Sequence, residues 1–149
     1  MQTTYSAPVT SSELREELAP RLRWTITRLA RRLRQEAGTD LGPSQVAALA
    51  TIERHGPLSP SELAEFERIK RPTATRILRH LEEAGLVERV KDPEDGRGSI
   101  VSVTAAGRTH LKRLRARKTA YLASRLDRLP AEDRRALERA AELLERMLE

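Results

Sequence analysis

Between Leu58 and Gly85 the chain is punctuated so densely that few local structures satisfy it. In "LSPSEL", Ser59 stands where an N-cap belongs, Pro60 suits the first helical position, and Glu62 completes an S-x-x-E capping box. Leu58 and Leu63 occupy the two positions of a hydrophobic staple around it. The short helix so started is expected to bury Leu63 and Phe66 and to end around Arg68. After the turn "RIKR", Pro72 can open a second helix, whose apolar residues Ala74, Ile77, Leu78 and Leu81 recur at i, i+3, i+4 and i+7. Gly85 is the expected C′ residue that stops it. The opposite face centres on Pro72, Arg76 and Arg79, flanked by Thr73, Thr75 and His80.

Two helices joined by a tight turn, with the second presenting arginine and threonine outward, match a helix-turn-helix. The residue types suit that use. An arginine fork bonds both O6 and N7 of guanine, and threonine offers a hydroxyl and a methyl that touches thymine. An isolated arginine pair would be no more than the solvated face of an amphipathic helix. The segment after the helix decides against that reading. Val87–Lys91 and Ser99–Val103 read as antiparallel strands with alternating inward Val/Ile positions. Two residues can join such strands, yet here "KDPEDGRGSI" supplies a long polar loop with Arg97 near its tip. A loop of that kind, directly after a helix-turn-helix, is the wing of a winged-helix domain. Arg97 could then enter a minor groove, held extended by Asp92 or Asp95, with Gly96 and Gly98 allowing positive φ and close approach to a backbone. The plainer alternative is an exposed loop turned by its "DG" pair.

Composition agrees with a polyanionic partner. The 149 residues suffice for one domain with a real core, and 28 Lys+Arg against 22 Asp+Glu leave a net charge of +6. The excess sits in the body of the chain: residues 105–128 carry eight bases and one acid, while residues 131–149 carry six acids and four bases. With no cysteine there is no disulfide framework, thiolate switch or cysteine metal site. "MQTTYSAPVT" lacks the pattern of a secretory leader and no apolar run approaches a membrane span, so the cytoplasm is the expected compartment, with no membrane partner.

The remaining segments read as helices. Leu14, Leu18, Leu22, Ile26, Leu29 and Leu33 keep helical spacing, and Pro20 either starts that helix or kinks it. A further helix should run from about Pro43 to His55 with Val46, Leu49 and Ile52 inward. Thr104 can cap a long helix bearing Leu111, Leu114, Tyr121 and Leu122, and after Pro130 a last helix aligns Leu137, Ala141, Leu144 and Leu148. The fold class is therefore mainly α with a small β-hairpin (α+β): a winged helix-turn-helix core, 41–104, flanked by helical segments 20–36 and 105–149. Residues 1–19 form an N-terminal arm, partly disordered or the start of the first helix. A winged helix does not need those flanking helices to fold, and their apolar faces point to another subunit, the alternative being that they pack on the core of the same chain.

The run "GPLSPSELAEFERIKRPTATRILRHLEEAGLVERVKDPEDGRGSIVSVTAAG" resembles the winged helix-turn-helix core of the MarR (multiple antibiotic resistance regulator) family. The "GLVER…DPEDGR…VTAAG" part is the specific one, and the element order agrees over residues 20–148. The resemblance implies a homodimeric repressor whose first and last helices interlock across a two-fold axis on a pseudo-palindromic double-stranded operator. It implies DNA contacts from Thr73, Thr75 and Arg76 on the recognition helix and from Asp95 and Arg97 in the wing; Arg79 on the outward face and Arg71 at the helix entry join them as candidate DNA-binding residues. It also implies a small aromatic or anionic effector, bound between the dimerisation helices and the winged domain. Pro72, where the family more often has serine or another small residue, and Gly98–Ser99 after the wing arginine depart from the pattern and bear on the base contacts.

Trp24 and Arg28, one helical turn apart, could offer such an effector stacking and a cation. A lone tryptophan on an amphipathic helix is otherwise simply core. No cofactor is expected, and an enzyme is not favoured. His55, His80 and His110 lie on different elements without metal-ligand spacing, and no phosphate-binding glycine loop or nucleophile elbow occurs. A nucleoid-type binder with little sequence preference would share the basic surface and differ only in specificity. RNA binding lacks its aromatic platform, with aromatic residues at 3%.

Overall fold

The computed structural model describes residues 10–149 except 95 and 97. Helix α1 (Ser11–Ala37) starts at a capping box. The Thr10 hydroxyl accepts from the Glu13 N–H at 3.3 Å, and the Glu13 carboxylate accepts from the Thr10 N–H at 2.8 Å. The backbone N–H and hydroxyl of Thr10 together hold the Glu13 carboxyl below its ordinary range. The helix then runs through Pro20. A start at Pro20 is thus corrected to Ser11, because a local cap outweighs one missing N–H. The Glu16 carbonyl loses its i+4 donor, but this stretch is exposed and water can supply one. Residues 1–9 of the expected arm lie outside the described residues.

The winged core comes next along the chain. Helix α2 (Pro43–His55) buries Ala48, Leu49 and Ile52, with Val46 packed at the margin of the core. Helix α3 (Pro60–Glu67) carries the capping box read from the sequence, with Glu62 N–H to Ser59 Oγ at 3.2 Å and Ser59 N–H to Glu62 Oε2 at 2.7 Å. Both staple residues, Leu58 and Leu63, are buried. Phe66 is not, which corrects the expectation for it. Leu63 and Ala64 set the inward face of this eight-residue helix, leaving Phe66 half exposed and stacked on His55 with ring centroids 4.2 Å apart.

Helix α4 (Arg71–Glu83) buries its whole predicted stripe, Ala74, Ile77, Leu78 and Leu81. It ends in a Schellman motif. Gly85 sits at φ 73° with its N–H on the Glu82 carbonyl, and Leu86 N–H reaches back to Leu81 O at 3.0 Å.

Strands β1 (Val87–Lys91) and β2 (Ser99–Val103) pair antiparallel with Val87 opposite Val103 and Lys91 opposite Ser99. Val87, Val101 and Val103 enter the core. Val90, three positions after Val87, falls on the opposite face of the ribbon, across from Ile100, and is exposed, which corrects the inward place expected for it. Only one end of the ribbon lies on the core, so only that end buries a face. Leu58 adds a further rung, exchanging bonds with Val101 at 3.0 and 2.7 Å. That rung locks the hairpin to the entry of α3.

Helix α5 (Ala105–Leu126) is capped by Thr104 and packs along α1. Ala37 and Leu114 are buried at that contact, and Arg117 Nη1 donates to Ala37 O at 2.9 Å. Helix α6 (Ala131–Arg146) has no buried residue.

Candidate nucleic-acid interface

The apolar stripe of α4 fixes which side chains point away from the core. Arg71, Thr75, Arg76 and Arg79 are exposed and Thr73 is half buried. Among the described residues no carboxylate lies within ion-pair distance of Arg71, Arg76 or Arg79. The first turn of α4 contains no acid, so its positive dipole end adds to the basic surface. The Thr75 hydroxyl donates to the Arg71 carbonyl at 3.0 Å. That leaves its lone pairs and methyl for a partner, not its proton.

Ion pairs flank this face rather than neutralise it. Glu82 meets Arg89 at 3.5 Å where α4 hands over to β1, and Glu53 meets Arg115 at 2.8 Å between α2 and α5. Both pairs are exposed enough that their effect is on orientation more than stability.

The base of the wing is organised by Asp92. Its N–H donates to Gly98 O at 3.0 Å, and its Oδ1 accepts from Glu94 N–H at 2.9 Å, an Asx turn. Asp92 therefore shapes the loop with its own carboxylate. Gly96 has open space where a Cβ would stand. Asp95 and Arg97 lie outside the described residues.

Trp24 and Arg28 do come together, with the guanidinium carbon 5.3 Å from the ring centroid, and the tryptophan is 60% exposed. Neither lines the cleft at the end of α1. That cleft, about 690 Å³, opens between the end of α1, the start of α2 and α5. Leu33, Ala37, Leu41, Val46 and Leu114 form its apolar wall, and Arg31, Arg34 and Lys118 are its cations.

Beside it His110 ties α5 to the α1–α2 connection. Its Nε2 lies 3.0 Å from Thr39 Oγ1 and its Nδ1 3.0 Å from Arg113 Nη2. Arginine only donates, so Nδ1 accepts and Nε2–H donates to Thr39. Burial, then the Arg113 and Arg117 cations, hold this imidazole below its ordinary pKa. Neither cleft nor joint was read from the sequence, because their residues are scattered from Ala30 to Lys118 and meet only when α5 lies on α1.

A basic-faced helix set on a small helical core, followed by a two-stranded hairpin that the chain entering α3 extends by one rung, defines a winged helix-turn-helix DNA-binding protein. The MarR family model matches residues 41–99. An HTH-type transcriptional regulator of Mycobacterium bovis is 36% identical over 128 residues, 85% of this chain and 90% of that relative. The chain belongs to the MarR family of transcriptional regulators. A transcriptional regulator protein of Pseudomonas aeruginosa, 36% identical, superposes with a TM-score of 0.81 over 94% of this chain and 98% of that one. A mutant of S. aureus MepR bound to an oligodeoxyribonucleotide shares the fold at 18% identity and a TM-score of 0.70, over 89% of this chain and 98% of the other. Among the described residues no helix is long and apolar enough to cross a membrane.

Proposed function

We propose that this chain is a sequence-specific, ligand-responsive transcriptional repressor that binds a pseudo-palindromic operator as a homodimer in the cytoplasm. The observation that carries the reading is the basic face of α4, which meets no carboxylate among the described residues and is presented by a buried opposite stripe. A rigid helix keeps Arg76 and Arg79 at fixed spacing, which base readout requires. Thr73, Thr75 and Arg71 complete the set, Arg71 as a phosphate contact at the helix entry. Such a dimer seated on a promoter excludes polymerase.

Arg76→Ala tests the specificity. If the side chain pairs a guanine, affinity for a duplex selected by the parent protein falls by about 1–3 kcal/mol, with a smaller loss on random duplex. Equal losses on both would make Arg76 a phosphate contact and favour a binder with little sequence preference.

The wing supplies the second contact. Minor-groove arginines respond to groove width, so Arg97→Ala is expected to weaken binding most on operators with A·T-rich flanks, without changing folding. Asp95→Ala is expected to weaken binding too, if that carboxylate orients Arg97. Simple charge repulsion predicts the opposite sign. Titrations of both variants at one salt concentration decide it: a tighter Asp95→Ala complex removes the orienting role.

The dimer reading rests on apolar side chains left uncovered in one chain. Leu14, Leu18, Ile26 and Leu29 of α1 and Leu137, Leu143 and Met147 of α6 are all exposed. Two copies of such faces are self-complementary. Trp24, with Arg28 over it, belongs to the same uncovered stretch of α1. The effector reading accordingly shifts to the cleft, where Arg31, Arg34 and Lys118 suit a small anion with an apolar body.

A further inference from the structure

We propose that Arg68, in the turn between α3 and α4, is a DNA-backbone contact held in a strained conformation for that purpose. The inference rests on the duplex-binding reading above and adds a residue to it. Arg68 has φ 52° and ψ 44°, and it is the one non-glycine at positive φ among the described residues. The other described positive-φ positions, 38, 56 and 85, are all glycine. Left-handed backbone crowds a Cβ against the following carbonyl, and glycine avoids that cost.

The turn cannot relax the strain away. Arg68 N–H donates to Glu65 O at 3.2 Å, and the next N–H, of Ile69, donates to Ala64 O at 3.0 Å while its side chain packs on the core. Those two bonds are the Schellman closure of α3, and the packing of Ile69 on the core holds the turn in it; the sequence nonetheless places a long cation at a position that glycine usually fills.

A second destabilising feature coincides with the first. Arg68, Lys70 and Arg71 put three cations within four residues. All three are exposed, and among the described residues no carboxylate is within ion-pair distance of any of them. Lys70 is the N-cap of α4 yet makes no side-chain capping bond, and its cation stands at the positive end of that helix. Strain and like-charge repulsion thus meet at the residues immediately before the recognition helix. A phosphate backbone relieves the repulsion and gives the Arg68 guanidinium a bidentate partner. The cap of α3 requires the left-handed backbone but not an arginine, and it is the arginine, kept where glycine would cost less, that the contact explains.

The test compares Arg68→Gly and Arg68→Lys with the parent. Each is titrated across a salt series with a duplex selected from a random library by the parent, and with unselected duplex. Arg68→Gly is expected to raise Tm by about 2–4 °C, while weakening both duplexes alike, on the order of three- to tenfold, and reducing the log–log salt slope by about 0.9. Arg68→Lys is expected to keep the slope and show no gain in Tm. An Arg68→Gly protein with the parent's affinity and slope overturns the proposal, as does a lysine variant that loses as much as glycine. If Arg76→Ala still loses selected-duplex affinity in that case, only the Arg68 assignment fails. A parent that binds neither duplex would sink both.

Discussion

Gly107→Ala is expected to destabilise the protein by about 3 kcal/mol, high in the range for over-packing a close contact. Gly107 is in the first turn of α5, and its N–H donates to Thr104 Oγ1 at 3.0 Å. A Cβ built there falls 2.2 Å from the Leu86 carbonyl oxygen and 2.8 Å from Val103 Cγ2. The valine tip can rotate; the carbonyl cannot. Leu86 O accepts from Thr104 N–H at 3.1 Å, Leu86 N–H is held by Leu81 O at 3.0 Å, and the Thr104 hydroxyl donates to Gly85 O at 2.7 Å. Making room for one methyl therefore loosens the end of α4, the start of β1 and the cap of α5 together. Alanine's better helix propensity, about 1 kcal/mol, offsets only part of this. Denaturant titration should show a lower midpoint at unchanged slope. A midpoint equal to the parent's would mean that α5 does not approach Leu86 this closely.

If the proposed dimer forms through the terminal helices, removing residues 131–149 is expected to abolish it. Helix α6 is 16 residues long and none of them is buried, whereas an isolated helix of that length is marginal in water. Its apolar side chains Leu137, Leu143 and Met147 are exposed, and in the proposed dimer the α1 and α6 faces of a second copy would cover them. The truncated chain should sediment as a monomer or aggregate. Operator affinity should fall by about 10²–10⁴, the advantage of linking two half-site contacts. The double substitution Leu137→Glu, Leu144→Glu keeps the helix and serves where truncation merely aggregates. Sedimentation of both variants as the parent's species would assign the interface elsewhere.

The limits of α2, α3, α4 and the two strands were legible in the sequence because their signals are local. Ser59, Pro60 and Glu62 satisfy the first turn of α3 by themselves, and Gly85 takes a conformation that few other residues tolerate. The α4 stripe was legible for a related reason: a 3.6-residue period leaves one apolar face, and any core it meets must cover it. The outward arginines were then found by subtraction, and with them the class of partner. The start of α1 was local too, in the Thr10–Glu13 box, but Pro20 obscured it.

Other features depend on distant segments arriving at one place. Phe66 lies on His55 rather than in the core because Ala64 sets the contact face of α3. Gly107 must be glycine because a carbonyl 21 positions earlier in the chain, that of Leu86, lies against it. The cleft exists because Arg117 and His110 of α5 are bonded to the end of α1 and the loop after it. Caps, turns and periodicity act within a few residues, so sequence determined them by itself. Close approach, cavity shape and the exposure of a given face are properties of packed pairs, and only the tertiary structure decided those.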